Sequence, residues 1–394
     1  MSASNDVFIV SAKRTPIGAF LGALSPMTAV QLGSAAIKAA VESAGVKAGD
    51  LDEVIMGCVL PAGLGQAPAR QAALGAGAPT SVPCTTVNKM CGSGLKAVMY
   101  GADQIRAGSA GLVLAGGLES MSNAPYLLPK ARSGYRMGHG EVLDHMFFDG
   151  LQSPFDGKLM GCFGDATAAK YNLTRAAQDA FATESVRRAM RALEAGDFEA
   201  ETTPVTVKGR KGETVVARDE TPGTCDVAKI TTLKPAFGKD GTVTAASSSS
   251  ISDGAAALVL ASGTEVKNRG LKPMARILAY ATHAHDPEWF TTAPGGAIKK
   301  VLKQLGWGVN DVDLYEVNEA FAAVTMAAMH DVGIDHARIN VNGGACALGH
   351  PVGATGARIL TTLLYALRKR GGKRGIAALC LGGGEAVAVA VELV

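Results

Sequence analysis

Four residues hold the chemistry this chain could perform, and they lie far apart in sequence: Cys91, Asn318, His350 and Cys380. Cys91 stands in Asn88-Lys89-Met90-Cys91-Gly92-Ser93-Gly94, before a segment, Leu95 to Ile105, with apolar residues at helical spacing. A helix start offers free N–H groups and a partial positive charge, which favour the nucleophilic thiolate. The same residue could be an inert buried thiol, as most free cysteines are. His350 lies in a glycine-rich run from Asn342 to Arg358 that lacks the Lys-Ser/Thr ending of a nucleotide loop. It reads either as the base for a thiol or as a hydrogen-bonded histidine in a tight turn. Cys380 closes an apolar run, and the glycines at 382–384 could bring their N–H groups to an anionic oxygen. Asn318 is suited either to cap a helix or to fix a water or a carbonyl oxygen.

The 394 residues are 47% hydrophobic and poor in aromatics, which suits buried strands alternating with closely packed helices. A net charge of +3 gives no reason to expect nucleic acid, while an anionic small substrate is compatible with it. Seven cysteines, an odd number with no CxxC pair, argue against a disulfide framework or a zinc site. The strand-like Val7-Phe8-Ile9-Val10 comes almost at once, and no apolar stretch is long enough to cross a bilayer. A soluble protein of the cytoplasm, with no membrane partner, is expected.

The elements that must position these residues look duplicated. One constant shift carries Ile37-Lys38 onto Ile298-Lys299, Gly45 onto Gly306, Asp50 onto Asp311, Asp52 onto Asp313 and Gly57 onto Asn318. Each copy has a helix ending near the glycine, an acidic turn, and an apolar run, 51–57 or 312–318. Each then has a glycine-rich helix start, around Cys91 or His350, and a buried strand running into glycines, 112–117 or 377–384. Near-continuous apolar strands between helices predict mixed α/β layers with both sheet faces covered. Residues 119–248 belong to neither copy. They hold a predicted hairpin, Val205-Thr206-Val207 and Thr214-Val215-Val216, around a basic turn at 208–212, read as a solvated tip. The serines at 247–250 are read as a constrained loop entering a core element rather than a spacer.

Taken in order, the NKxCGSG run, then NEAF, then GGxxxLGHPxGxTGAR, then CxGGG, resemble the thiolase family over the whole chain, beginning with Val10 to Gly18. The segments Ala62 to Gln66, Gly117 to Ser122 and Gly241 to Ala245 resemble most the short-chain acetyl-CoA acetyltransferases. The resemblance implies a thiolase fold, two duplicated mixed-sheet α/β halves in an αβαβα layering with an inserted loop domain. Residues 1–118 would form the N-terminal half, completed by about 249–271, with 119–248 inserted for CoA binding and oligomer contacts and 272–394 forming the C-terminal half. A homotetramer, as a dimer of dimers, is the implied assembly.

The implied reaction is reversible Claisen condensation of two acetyl-CoA into acetoacetyl-CoA and CoA, with no cofactor and no metal. Cys91 would hold the acyl group, His350 would take its proton, and Cys380 would deprotonate the second acetyl-CoA. The N–H groups of Cys91 and Gly382 would form one oxyanion site, and His350 with a water on Asn318 the other. The implied CoA contacts are Leu151, Met160, Phe237, Ala245, Ser249, Ile251, Ala320 and Phe321. The chain departs from the family pattern in three places: Leu159 replaces a histidine, the 219–230 stretch lacks an adenine-side arginine, and Glu385 follows Gly384.

A ketoacyl synthase would lack the second cysteine, and a non-catalytic relative would be expected to lose one of the four motifs. The alternative function is a broader-chain 3-ketoacyl-CoA thiolase of fatty-acid degradation; against it, Phe290 is read as a residue that shortens the acyl pocket.

Overall fold

Asp52 and Asp313 do the same job in two places, which is why the sequence repeats them. Asp52 Oδ2 accepts the N–H groups of Gly111 and Leu112 at 2.7 and 2.9 Å, and Asp313 Oδ2 accepts those of Lys373 and Arg374 at 2.7 and 2.8 Å. Asp50 and Asp311 likewise accept the N–H groups of Lys47 and Gly308. Asp50 and Asp311 close the turns that feed buried strands, while Asp52 and Asp313 tie the starts of parallel neighbouring strands, so the geometry repeats with the residue.

The computed structural model describes residues 6–209 and 212–394. The first half supplies β1 (Val7–Arg14), β2 (Gly18–Ala19), α1 (Ala29–Ala44), β3 (Glu53–Gly57), α2 (Pro68–Gly75), β4 (Cys84–Val87), α3 (Ser93–Ala107) and β5 (Leu112–Ser120). The middle adds a short pair, β6 (Tyr126–Leu127) and β7 (Leu143–Asp144), a π-helical turn at Met146–Leu151, then α4 (Met160–Lys170) and α5 (Arg175–Glu194). Its hairpin, β8 (Val205–Gly209) and β9 (Gly212–Val216), is the predicted one, though Arg210 and Lys211 of the basic turn lie outside the described residues. The chain continues with β10 (Ser252–Ser262), α6 (Gly263–Arg269), β11 (Ala275–Ala284), α7 (Ala293–Leu305), β12 (Leu314–Val317), α8 (Ala322–Val332), α9 (Ala345–Leu348), α10 (Thr355–Arg370), β13 (Arg374–Leu381) and β14 (Glu385–Leu393).

The strand order is β12-β13-β14-β11-β1-β10-β5-β3-β4. Its two ends repeat one pattern: β3 and β12 each run parallel to their neighbours β5 and β13, which pair antiparallel with β10 and β14. The halves join where Val7–Ile9 of β1 pairs with Ala275–Ile277 of β11, so both lie on one continuous path. Helices α3 and α10 touch strands of both halves, while α1 packs on the first half and α7 on the second. Every residue of β5 and β10 is buried, as strands covered on both faces require.

The crossing of α3 and α10 brings the two chemical loops together. A Cβ at Gly356 would lie 2.4 Å from the backbone nitrogen of Leu95, so only glycine lets the two helix starts approach this closely. The inserted segment is tied to the core by a buried cation. Arg14 donates to Glu201 at 2.6 Å and to Asp219 at 2.7 and 2.9 Å, with all three side chains shielded from solvent.

The run at Ser247–Ser250 is the predicted constrained loop. Ser247 is fully buried, its hydroxyl accepts the Thr244 N–H at 2.8 Å, and the chain passes directly into β10.

Candidate active site

The Cys91 turn is strained into shape. Met90 has φ +48°, a left-handed conformation that costs a non-glycine residue roughly 1 kcal/mol or more. Asn88 Oδ1 accepts the Met90 N–H at 2.9 Å, Ser93 Oγ accepts the Lys89 N–H at 2.8 Å, and the Ser93 hydroxyl donates to the Met90 carbonyl at 2.6 Å. The result sets Cys91 one residue before Gly92, the cap of α3.

Its electrostatics differ from the expectation. Burial pushes the Cys91 thiol up to about 11, although the N–H groups of Gly382 and of Cys91 itself pull the other way. Desolvation of the charge outweighs the helix start, so the resting sulfur is a thiol that must lose its proton during attack. Those N–H groups place Gly382 beside the sulfur.

His350 is held at both ring nitrogens. The Thr355 hydroxyl lies 2.6 Å from Nδ1 and 2.9 Å from the Pro351 carbonyl, a placement that suits Nδ1–H donating to Thr355 while the hydroxyl donates to the carbonyl. That tautomer puts the lone pair on Nε2, where Asn318 Nδ2 lies at 3.4 Å. Asn318 is not a helix cap: it sits between β12 and α8, and its buried Oδ1 has no protein partner. Burial, then the nearby Arg358 cation, lowers the imidazole to about 3. Cys91 Sγ has no hydrogen bond to His350 at rest, and catalytic contacts often tighten only with substrate bound.

Cys380 is fully buried near the end of β13, among Phe163, Val243, Phe290, Ala320, Phe321 and Val324. Burial, and the Cys91 sulfur close by, push its thiol well above the ordinary value. A thiolate formed there would be a strong base.

A cavity of about 160 Å³ reaches His350. Leu151, Met160, Phe237, Ser249, Ile251 and Phe321 line it, as does Leu159, which presents an apolar wall. Ala320 does not line it but is buried beside Cys380, and its carbonyl accepts the Ser249 N–H at 3.0 Å. Ala245 is exposed and lines neither this cavity nor the next. The buried turn that Thr244 makes with Ser247 faces it outwards. Beyond Met160 lies a second space of about 280 Å³, bounded by Met90, Phe163, Phe290 and Gly382. Phe290 packs edge-on against Phe163 at 5.8 Å, forming its wall rather than filling it.

Several supporting residues escaped the sequence reading. Glu119 accepts the N–H groups of Val59, Leu60 and Gly353 at 2.9, 3.1 and 2.9 Å, pinning the His350 loop to the first half. Glu319 accepts from Ser185 Oγ, Asn340 Nδ2 and the Cys346 N–H, fixing the turn that bears Asn318. Thr355, five residues past His350, carried the one readable signal, a hydroxyl at a helix start. Among the described residues, no group of three or more His, Cys, Asp or Glu side chains is gathered as a metal site.

These protonation states set a pH response. Neither His350 nor Cys91 changes charge between about pH 5.5 and 8.5, so single-turnover acylation should show no midpoint near an ordinary imidazole value of about 6.5. Stopped-flow acylation across that range checks this, and an acid-side loss centred there would contradict it. In the unfolded chain the imidazole protonates near about 6.5 while the native state excludes the proton, so His350 withdraws stability as pH falls below that value.

Comparison with known proteins gives one answer. The thiolase N-terminal domain pattern matches residues 7–264 and the thiolase C-terminal domain pattern residues 271–393. An acetyl-CoA acetyltransferase of Pseudomonas aeruginosa is 50% identical, covering 98% of each chain. One from Schizosaccharomyces pombe is 48% identical over 99% of this chain and 100% of its own. The crystal structure of the Bacillus anthracis acetyl-CoA acetyltransferase superposes with a TM-score of 0.97 at 41% identity, over 99% of both chains. With its duplicated sheet and its paired helix starts, the chain belongs to the thiolase family.

Proposed function

We propose that this protein is an acetyl-CoA C-acetyltransferase, converting two acetyl-CoA reversibly into acetoacetyl-CoA and CoA through an acyl group on Cys91. The observation that carries the reading is the placement of His350, whose Nδ1 lies 2.6 Å from the Thr355 hydroxyl while Nε2 faces Asn318 and the cavity. With Nδ1–H donating to Thr355, Nε2 is the nitrogen that can receive a proton.

Cys91 Sγ attacks the thioester carbon and its proton passes to His350 Nε2. The carbonyl oxygen, now negative, is held by the N–H groups of Cys91 and Gly382. The departing CoA sulfur takes the Cys380 proton, which leaves Cys380 as a thiolate raised in basicity by its burial. That thiolate removes a proton from the methyl group of the second acetyl-CoA. The enolate oxygen is met by His350 Nε2–H and by a water held on the otherwise unpartnered Asn318 Oδ1. The carbanion attacks the acyl carbon, Cys91 leaves, and it recovers its proton from His350. No cofactor enters this sequence. CoA would lie in the channel of Leu151, Met160, Phe237, Ser249, Ile251 and Phe321.

Assembly as a homotetramer is part of the reading. The inserted segment exposes Tyr126, Leu128, Val142 and Met137, the last 96% open to solvent in the single chain, and light scattering reads the mass directly. A cytoplasmic setting is supported by seven free cysteines, and among the described residues no helix is long and apolar enough to cross a membrane.

The broader-chain reading keeps one observation in its favour, the second space beyond Met160. Comparing kcat/KM for thiolysis of acetoacetyl-CoA and of 3-oxohexanoyl-CoA tests both. A short-chain enzyme should prefer acetoacetyl-CoA, and Phe290→Ala should raise the relative kcat/KM for the longer substrate about tenfold or more. Equal activity across chain lengths in the unaltered enzyme would overturn the short-chain assignment.

A further inference from the structure

Glu385, where the chain leaves the family pattern, is not idle. It opens β14 directly opposite Leu381, so it forms the base of the turn that carries Gly382. Its carboxylate meets Lys89 Nζ at 2.5 Å, and both side chains are about 30% exposed. Lys89 is two residues before Cys91 and belongs to the strained turn of the first half. Among the described residues this is the one ion pair joining the two turns. They are already close, since a Cβ at Gly92 would come within 2.7 Å of the Leu381 side chain.

We propose that Lys89 and Glu385 are positioning residues for acyl transfer, an ion pair that clamps the Cys91 turn to the Gly382 turn so that both N–H groups converge on one oxygen. The proposal rests on the acyl-cysteine reading above. The two donors come from opposite halves of the duplicated chain, and among the described residues no backbone hydrogen bond joins the two turns directly. Oxyanion donors work only when preorganised, because a misplaced N–H stabilises the developing charge far less. A pair that forms only when the turns are together can favour the competent arrangement by no more than its own free energy. For a partly exposed pair that ceiling is about fivefold in rate. Lys96 lies within Coulomb range of both partners, so it offers Glu385 a substitute cation if Lys89 is lost. Substitution at Glu385 is therefore the sharper probe.

The test is exchange of labelled CoA into acetyl-CoA, which isolates acylation from condensation, at saturating substrate. Glu385→Gln should lower the maximal exchange rate about three- to fivefold at low ionic strength while leaving KM and the thermal midpoint in place. Glu385→Lys should lose more, and the exchanged pair Lys89→Glu with Glu385→Lys should recover most of the loss. Molar salt should bring the unaltered enzyme down to the rate of Glu385→Gln, since screening removes the same attraction. An unchanged rate in Glu385→Gln, a loss confined to KM, or failure of the exchanged pair to recover would overturn the proposal. Absence of exchange in the unaltered enzyme would instead overturn the acyl-cysteine reading itself.

Discussion

Cys91→Ser is expected to lower acetyl transfer by on the order of 10⁴-fold or more while the protein still folds. A hydroxyl fits where the thiol sits, so the stability change should stay within about 1 kcal/mol. The loss is chemical. A serine hydroxyl is a far weaker acid than even the raised thiol of Cys91, and His350, lowered to about 3, is too weak a base to strip it. Acetyl-CoA binding should persist, because the channel residues from Leu151 to Phe321 are untouched. Calorimetric binding together with turnover separates these effects. Near-normal turnover with serine would remove Cys91 from the mechanism.

Cys380→Ser should split the reaction in two. Acylation of Cys91 should continue, though more slowly, since the nucleophile, the His350 base and the first oxyanion pair are untouched, and the CoA thiolate is a good leaving group even without the proton that Cys380 supplies. Carbon–carbon bond formation should fall by about 10²–10⁴-fold, the usual contribution of a positioned general base. The reason lies in burial: the site that makes the Cys380 thiol hard to ionise also makes its thiolate basic enough for a methyl proton. Labelled-CoA exchange measured beside acetoacetyl-CoA formation gives both numbers from one preparation. Loss of both in step would mean that Cys380 acts on the fold or on acylation, and condensation at full rate would end its role as base.

Much of this site was legible in the sequence because its chemistry depends on residue types that few other purposes explain together. Cys91 stands at the start of a helix, Asn318 and Cys380 at the ends of strands, and His350 in the turn between α9 and α10, where backbone groups are free. The repeated Asp52 and Asp313 marked the duplication because each ties the start of one strand to the start of its parallel neighbour in the same way. What stayed hidden depends on contacts between distant segments. Glu119 reads as one more residue in a buried strand until Gly353 is seen to donate to it. The Lys89–Glu385 pair needs the two halves brought face to face.

The charge state of Cys91 is not legible in sequence for a similar reason. A helix start is visible in sequence, whereas the packed groups that desolvate the sulfur are not. Phe290 was legible as an acyl-pocket residue, but only its packing against Phe163 reveals that a space of about 280 Å³ remains beside it.

The acyl carrier is open to one direct measurement. Brief incubation with acetyl-CoA, an acid quench and peptide mass spectrometry should find a single acetyl group on the peptide containing Cys91, removable by added CoA. The adduct should be absent in Cys91→Ser and present in Cys380→Ser. An acetyl group on Cys380 in place of Cys91, or no adduct in an enzyme that turns over, would contradict the assignment of Cys91 as the residue that carries the acyl group.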